Sequence, residues 1–329
     1  MRRRGLLALP ALAAIPASAP AWAQSWQASR PLRLIIPFPP GGTTDLIGRM
    51  VAERLGARIG QPVVVENRPG AGGNLGGEAA VQAEPDGHTL FFTTIGTGAM
   101  NFAVHGARMP WRPQDIAAVG LVARMPNVLM VANRLPVRDM AGFLALARTR
   151  QGEITYGTAG IGSSPHVCME LLGQETGIRF THVPYRGSGP MLTDLMGERL
   201  DCGMDNIPSA LPFIRDNRLR AIGMSGEKRS PVVPDVPVIA DTVPGFEATA
   251  WFGVQMGARA PRAAIERLGA EVDAIVRDPA FRARLAEFGA EGPGLTPEGG
   301  TSPEAFEAFT AREIAKWGAV ISRAGIKVE

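Results

Sequence analysis

Residues 32–45 read LRLIIPFPPGGTTD, a short apolar run followed by a turn of prolines and glycines, two threonines and an acid. The apolar run predicts a buried strand over residues 32–37, and the residues after the turn predict a helix over 45–55. A strand, a tight loop and a helix in this order are typical of an α/β fold with parallel strands.

The same unit recurs along the chain. About ten strands are expected, which is too many for one comfortable sheet with this much irregular linker, so two α/β lobes are favoured over one. A proline-rich linker is expected at 231–244. Ser164 is predicted to cap a helix that has Pro165 at its first position, and Pro190 is predicted to open another. The remaining strands are predicted at 63–65, 89–95, 128–131, 154–158, 180–184, 202–204, 219–224 and 249–256, and the remaining helices at 139–150, 265–276 and 306–320.

Composition excludes several classes of protein. The chain has 329 residues, of which 45% are apolar, so disorder, collagen and coiled coil are excluded as the main architecture. It has 34 basic and 31 acidic residues, and removal of the arginines at positions 2, 3 and 4 leaves 31 of each. A net charge near zero gives no electrostatic reason to expect nucleic acid or an anionic membrane as partner.

The first 23 residues predict a secretory signal peptide. Arg2, Arg3 and Arg4 precede an apolar run at 6–15, and Ala21-Trp22-Ala23 forms a cleavage site, so the mature protein is expected to begin at Gln24 in the periplasm. The apolar run is about ten residues, well short of the roughly 20 that a membrane-spanning helix needs. Cys168 and Cys202 do not have zinc-ligand spacing, and the sequence leaves open whether they pair.

The loops after the strands predict a site for an anion. In open α/β sheets such loops meet at the carboxyl ends of the strands, where helix N-termini offer unpaired N–H groups. Each loop taken alone is also explained as a tight turn. Glycines at 41, 42, 160, 162, 187 and 189 allow close approach of a ligand, and Thr43, Thr44, Thr94, Ser163 and Ser164 add hydroxyls.

Signatures of enzymes are mostly missing. The sequence has no dinucleotide-binding or phosphate-binding glycine loop, no His-Glu-x-x-His and no Gly-x-Ser-x-Gly, and we expect neither a cofactor nor a metal. His166 and Cys168 lie two apart on a predicted helix, which is poor spacing for a shared metal. A periplasmic hydrolase that uses Ser163 or Ser164 with a histidine and Asp205 is the alternative to a binding protein.

A resemblance to a known family is carried by several motifs. They are Ile36-Pro37-Phe38-Pro39-Pro40-Gly41-Gly42-Thr43-Thr44-Asp45, Val65-Glu66-Asn67-Arg68-Pro69-Gly70-Ala71-Gly72-Gly73, Asp86-Gly87-His88-Thr89-Leu90, Gly162-Ser163-Ser164-Pro165-His166, His182-Val183-Pro184-Tyr185-Arg186-Gly187, Pro234-Asp235-Val236-Pro237 and Trp251-Phe252. In combination they resemble the substrate-binding receptors of tripartite tricarboxylate transporters, the Bug family.

The resemblance implies a two-lobed periplasmic binding protein of the Venus flytrap type. Its two crossings are expected near Asn127 and Ala250, with lobe 1 formed by 24–126 and 251–329 and lobe 2 by 127–250. A monomer is expected to capture a small organic carboxylate and deliver it to a membrane permease. The resemblance places the ligand-binding residues at Phe38, Pro40, Gly41, Gly42, Thr43, Asp45, Thr94, Gly162, Ser163, Ser164, His166, Gly187 and Asp205. Met204 stands where the family usually has an aromatic residue.

Overall fold

A computed structural model describes residues 26–324 of the chain. The predicted signal peptide, residues 1–23, lies outside this range. Within the described range no helix has the length and apolar character that crossing a membrane requires.

Residues 26–324 contain nine hydrogen-bonded strands. Eight of them form a path in the order β2-β1-β3-β9-β4-β7-β5-β6, and the ninth, β8, pairs with β4 beside this path. The path divides into two sheets because β4 changes partner along its length. The strands are β1 (Leu32–Ile36), β2 (Val63–Asn67), β3 (Thr89–Thr94), β4 (Ile116–Val131), β5 (Thr155–Thr158), β6 (Thr181–Pro184), β7 (Cys202–Asn206), β8 (Arg220–Met224) and β9 (Thr249–Gly257).

Strand β4 joins the two sheets. Its residues 116–126 pair antiparallel with β9 in the first sheet, and its residues 127–131 pair antiparallel with β7 in the second. We predicted only a short strand at 128–131, because Ala, Gly, Arg and Pro in the preceding residues hide the earlier part of β4. The expected parallel sheet is therefore a mixed one: β1, β2 and β3 are parallel, and so are β5, β6 and β7, whereas β4 and β9 run against their neighbours.

The helices cover the faces of the two sheets, and the C-terminal ones return to the first sheet. There Arg58 on the first helix pairs with Glu271 at 2.6 Å, and Trp251 on β9 donates to Glu313 at 2.9 Å. The helices are α1 (Thr43–Ile59), α2 (Asn74–Val81), α3 (Asn101–His105), α4 (Met140–Thr149), α5 (Ser164–Thr176), α6 (Ser188–Met196), α7 (Ile207–Arg215), α8 (Arg262–Arg277), α9 (Pro279–Glu287) and α10 (Pro303–Ala324).

Two predicted helix starts are corrected by one or two residues. Ser163, rather than Ser164, has the extended backbone of the N-cap of α5, so Pro165 is the second helical residue. Helix α6 begins at Ser188, two residues before Pro190. Proline tolerates any position in the first turn, where its missing N–H has no partner, so it marks a helix start without fixing the first residue. Helix α9 was not predicted.

Candidate ligand-binding cleft

A cavity of about 70 Å³ lies where the ends of the strands of both sheets meet, and we call it the inner cavity. Side chains and backbone from both sheets enclose it. At roughly 15 Å³ for each water position, it has room for about five water-sized groups. Its lining residues are Phe38, Pro39, Pro40, Gly42, Thr43, Thr44, Thr94, Ala159, Ser163, Ser164, Pro165, Arg186, Gly187, Ser188, Gly189, Pro190, Asn206 and Phe252.

A larger space of about 760 Å³ adjoins the inner cavity, and we call it the outer chamber. The two spaces share Phe38, Pro39, Ala159, Arg186 and Gly187 as wall residues. The rest of the outer wall comes from the loop 69–73, from the loop at 160–161, and from His105, Arg108, Pro184 and Tyr185. A ligand whose head group occupies the inner cavity can therefore extend into the outer chamber.

Four helices begin at the inner cavity. The first turns of α1, α5 and α6 each contribute wall residues, and Asn206, the N-cap of α7, contributes another. The N–H groups of a first helical turn have no partner within their own helix, and the helix dipole adds a partial positive charge there. Among the described lining residues Arg186 is the single basic side chain. The cavity is thus suited to an anion, with little help from a formal positive charge.

The structure divides the predicted contact residues into two groups. The first group lines the inner cavity: Phe38, Pro40, Gly42, Thr43, Thr94, Ser163, Ser164 and Gly187. The second group lies outside the lining: Gly41, Asp45, Gly162, His166 and Asp205. The residues of this second group support the wall from behind, through hydrogen bonds, and do not form its surface.

Asp45 is bound on the far side of its own loop. Its carboxylate accepts hydrogen bonds from the Gly41 N–H at 3.0 Å, from Arg49 at 3.0 Å and from Asn67 at 2.9 Å. Burial raises the pKa of Asp45, but these hydrogen bonds together outweigh it and hold the pKa below its usual range. Asp45 is therefore ionised and fully engaged, and it fixes the turn that places Gly42 at the cavity.

Asp205 is 1% exposed and lies directly behind the wall. Oδ1 accepts from the Ser188 hydroxyl at 2.9 Å and from the Asn206 N–H at 2.8 Å, and Oδ2 accepts from the Ser209 hydroxyl at 3.0 Å. Burial raises the pKa of Asp205 to about 6, although the three hydrogen bonds oppose the shift. Ser209 in turn lies 3.0 Å from the hydroxyl of Thr43, so this network connects the two sheets.

His166 supports the loop before α5. Its Nδ1 accepts from the Gly162 N–H at 3.2 Å, and its ring stacks on His182 with centroids 4.3 Å apart. Burial lowers the pKa of His166 to about 4 and that of His182 to about 3, the latter with help from His166. Both rings are neutral near pH 7, so Nδ1 of His166 is free to accept this bond.

The geometry at Ser163 and Ser164 is not that of a hydrolase. The Ser163 hydroxyl donates to the Gly160 carbonyl at 2.6 Å, and the Ser164 hydroxyl donates to Asn127 Oδ1 at 3.3 Å. Within residues 26–324 neither serine has a histidine as hydrogen-bond partner, and Asp205 bonds to serines rather than to a histidine. No activated nucleophile is assembled at these two positions in that range.

The two sheets approach each other through glycines. A Cβ atom added at Gly96 would lie 2.6 Å from the Gly162 carbonyl oxygen, and one added at Gly162 would collide with Asn101 Oδ1. Gly162 also has a φ of +79°, which side chains rarely adopt. This close approach of the two sheets therefore depends on the absence of side chains at these points.

Several wall residues were not predicted as contacts, among them Ser188, Asn206 and Phe252. Each has a signal in the sequence. Ser188 follows Gly187 in a glycine-rich loop, Asn206 precedes the Ile207-Pro208 start of a helix, and Phe252 belongs to an aromatic pair. Their approach to one cavity depends on the pairing of β9 with β4, which the sequence does not display.

Both cysteines are free and buried. Burial, the largest cause, raises the pKa of Cys168 to about 12 and also raises that of Cys202, so neither is a reactive thiolate near pH 7. Across residues 26–324 no three His, Cys, Asp or Glu side chains are grouped so that they could hold a metal ion.

Comparison with known families adds a sequence match. A family model described as the tripartite tricarboxylate transporter family receptor matches residues 47–326 of this chain. Protein BugT of Bordetella pertussis is 33% identical over 317 residues, which are 95% of this chain and 94% of BugT.

Solved structures of similar sequence have the same fold. R. palustris Rpa4515 with adipate superposes with a TM-score of 0.86 at 35% identity, over 92% of this chain and 99% of that one. MatC (Rpa3494) from Rhodopseudomonas palustris with bound malate gives a TM-score of 0.83 at 31% identity, over 89% of this chain and 99% of that one. The predicted α/β fold of a two-lobed periplasmic binding protein is confirmed.

Proposed function

The chain belongs to the family of tripartite tricarboxylate transporter receptors, and on that premise we propose that it captures a small organic carboxylate in the inner cavity and delivers it to a membrane permease. The observation that carries the proposal is the meeting of four helix N-termini at one cavity between two sheets. Adipate in Rpa4515 and malate in MatC, two proteins of the same fold, are both carboxylates and agree with it.

The chemistry of the wall explains how an anion is held with so little positive charge. Unpaired N–H groups of first helical turns donate to carboxylate oxygens, and such charge-assisted bonds are about twice as strong as neutral ones. Gly42 and Gly187 bring the backbone close because they carry no side chain. Apolar wall residues such as Phe38 and Phe252 exclude water, which strengthens those bonds.

A thermal-shift screen followed by calorimetry tests this function. The protein starting at Gln24 is titrated with a panel of mono-, di- and tricarboxylates, with uncharged amides of the same skeletons as matched controls. A ligand at about a hundred times its Kd adds about 2.7 kcal/mol of stability and raises the Tm by a few degrees. One acid is expected to bind with 1:1 stoichiometry. A panel in which no acid shifts the Tm, or in which amides bind as well as acids, would overturn the proposal.

We propose further that the protein has no catalytic activity. The alternative hydrolase is tested with activated esters, using Ser163→Ala and Ser164→Ala as variants. A binding protein returns its ligand unchanged and shows no ester turnover above the uncatalysed rate. Turnover that one of these substitutions abolishes would support the hydrolase.

Export and partner are also parts of the proposal. We place the mature protein in the periplasm, with cleavage after Ala23 and a mature start at Gln24, which mass spectrometry of exported protein checks. Uptake of the identified acid into cells is expected to require both this protein and the permease. Protein retained with Arg2, Arg3 and Arg4 attached in a membrane fraction would contradict the assignment.

The lobes are proposed to close on the ligand. We place lobe 1 at 24–126 and 251–329 and lobe 2 at 127–250, so that the two crossings near Asn127 and Ala250 act as hinges. Strand β4 supports this placement, because it leaves β9 and joins β7 after residue 126. Ligand addition is expected to reduce the radius of gyration in solution scattering, and superposable profiles would count against closure.

A further inference from the structure

The hydroxyl groups of the inner cavity limit which groups a ligand can carry beside its carboxylate. Thr43, Ser163 and Ser188 are three of the six hydroxyl residues that line the cavity, and each hydroxyl has a single hydrogen to donate. Where that hydrogen points decides whether the hydroxyl offers the ligand a donor or an acceptor. The protein partners of the three hydroxyls settle this.

Ser163 and Ser188 both donate away from the cavity. The hydrogen of Ser163 goes to the Gly160 carbonyl oxygen at 2.6 Å, and that of Ser188 goes to the Asp205 carboxylate at 2.9 Å. A carbonyl oxygen and an ionised carboxylate can only accept. The hydroxyl oxygens of Ser163 and Ser188 therefore keep only lone pairs for a ligand.

The direction of the Thr43 hydroxyl hydrogen is fixed through its neighbour Ser209. Ser209 lies 3.0 Å from Asp205 Oδ2 and 3.1 Å from the Asn206 carbonyl oxygen, and both of these groups can only accept. The single hydrogen of Ser209 is therefore used there. The 3.0 Å contact between Thr43 and Ser209 must then be a bond that Thr43 donates, so Thr43 too keeps only lone pairs for a ligand.

Asp205 orients Ser188 directly, and together with the Asn206 carbonyl oxygen it orients Thr43 through Ser209; these two hydroxyls stand on opposite sides of the cleft. Ser188 belongs to α6, and Thr43 belongs to α1 across the cavity. A Cβ added at Gly42 would lie 3.8 Å from the Ser188 oxygen, which shows how closely the two sides approach here. The buried carboxylate thus creates a patch of acceptors on both sides of the cavity, next to the N–H groups that suit a carboxylate.

We propose that Asp205 is a positioning residue that, through Ser188 and through the relay of Ser209 to Thr43, makes the inner cavity select acids with a hydroxyl or ammonium group beside the carboxylate. This inference rests on the proposed carboxylate-binding function. A 2-hydroxy or 2-amino carboxylate head group has five non-hydrogen atoms, which agrees with a cavity of about 70 Å³. The remainder of the ligand extends into the outer chamber.

Calorimetry with matched pairs of acids tests the proposal. The pairs are malate against succinate and 2-hydroxyglutarate against glutarate, and the two members of each pair differ only by one hydroxyl. Aspartate and glutamate are included as the corresponding acids with an ammonium group in place of the hydroxyl. The parent protein is expected to bind the hydroxy or amino member at least about tenfold more tightly, because an acid without a donor leaves desolvated lone pairs unpaired. Comparison of the hydroxy acids with the amino acids shows whether a hydroxyl or an ammonium group is preferred.

Two variants test whether the preference for hydroxy or amino acids arises from the hydrogen bonds of Asp205. Ser188→Ala removes one acceptor, so the ratio of Kd values within each pair should fall several-fold. Asp205→Ala should also lower it, because the Ser188 hydroxyl then loses the acceptor of its hydrogen and can turn that hydrogen toward the ligand. Thr193→Val is the matched control: Thr193 lies on the same helix, and its exposed hydroxyl donates to the Gly189 carbonyl, so the ratio should not change.

Each outcome decides a different claim. Acids that bind without any preference within the pairs would overturn this inference and leave the carboxylate-binding function standing. A preference that survives both Ser188→Ala and Asp205→Ala would overturn the role given to Asp205. If no acid binds the parent protein, the proposed function fails, and this inference fails with it. Ser188→Ala keeps the test decisive if Asp205→Ala does not fold.

Discussion

The loop around Asp45 and the segment around Asp205 have the same plan but use their carboxylates in opposite ways. Asp45 lies in the first turn of α1 and Asp205 lies near the end of β7, just before α7, so each acid stands near the start of a helix at the cleft. Asp45 has the guanidinium of Arg49 beside it and a lowered pKa. Asp205 is bound by neutral hydroxyls and one N–H group, and burial raises its pKa.

The difference shows how an anion site can contain acids. Asp45 stabilises the turn through its hydrogen bond to the Gly41 N–H. Because its charge is neutralised by the ion pair with Arg49, it adds little negative charge at the cavity. Asp205 has no cation among its hydrogen-bond partners in the described residues, and its influence reaches the cavity through hydroxyls. Helix N-termini from both sheets therefore supply backbone donors, and the hydrogen-bond network of Asp205 adds hydroxyls of fixed direction.

The largest effect is expected from Gly42→Asp. Gly42 is the N-cap of α1 with an extended backbone, and a Cβ there meets only Ser188 Oγ at 3.8 Å, so the fold tolerates a side chain. An aspartate caps the helix well, but its charge lies where the ligand carboxylate belongs. Like charges about 4 Å apart cost about 4 kcal/mol at an effective dielectric constant of 20. Calorimetry should show an affinity loss of at least about a hundredfold.

The matched control is Gly42→Asn, which has nearly the same shape and caps the helix equally well without a charge. It should lose clearly less affinity than Gly42→Asp. Equal losses would assign the effect to bulk alone, and unchanged binding by Gly42→Asp would place the carboxylate elsewhere.

The second prediction separates the two acids by the pH dependence of stability. Because the pKa of Asp205 is raised to about 6, the folded parent gains stability as the pH falls through that value. Lowering the pH from 7.5 to 4.5 should therefore stabilise the parent relative to Asp205→Asn by about 2 kcal/mol. The pKa of Asp45 is lowered instead, so the difference between the parent and Asp45→Asn should stay constant in this range and shrink only at lower pH.

Urea unfolding at both pH values gives the measurement. Each variant is compared with the parent because His166 and His182, whose pKa values are lowered, destabilise the whole protein as the pH falls below about 6.5. This common loss cancels in the difference. Equal pH dependence of the two differences would contradict the contrast between the acids.

The third prediction concerns closure. In Gly162→Ala the new Cβ collides with Asn101 in the closed arrangement, so the ligand should bind about tenfold more weakly and compact the protein less in solution scattering. Gly177→Ala is the control, because Gly177 has a similar φ of +68° but open space around it. It should cost about 1 kcal/mol of stability and leave affinity unchanged. Matching affinities for the two variants would argue against a contact at Gly162.

Local features were predictable because they depend on neighbours in the sequence. The strand and turn at 32–42, and the prolines near the starts of α5 and α6, follow from backbone preferences, so most elements were found with errors of a few residues. The wall residues carried by these loops, such as Gly42, Ser163 and Gly187, were predicted for the same reason.

Features that depend on distant pairing were not predictable. The early part of β4 contains Gly120, Arg124 and Pro126, which are uncommon in strands, and its pairing with β9 joins residues more than a hundred positions apart. Asp205 was predicted to touch the ligand, but its serine partners at 188 and 209 are set by the approach of α6 and α7. His166, also predicted as a ligand contact, lies outside the lining of the inner cavity, and its stacking on His182 is a tertiary contact that the sequence does not display.

The smallest effect is expected from Arg186→Ala, the variant that separates recognition by helix N-termini from recognition by an arginine. In the proposed function helix N-termini bind the carboxylate, and Arg186 lies where the inner cavity meets the outer chamber. Calorimetry with the acid identified for the parent, at low and at high salt, should show a Kd within about fivefold of the parent, as for a partly screened charge. A loss of a hundredfold or more would contradict the account and identify an arginine clamp as the basis of binding.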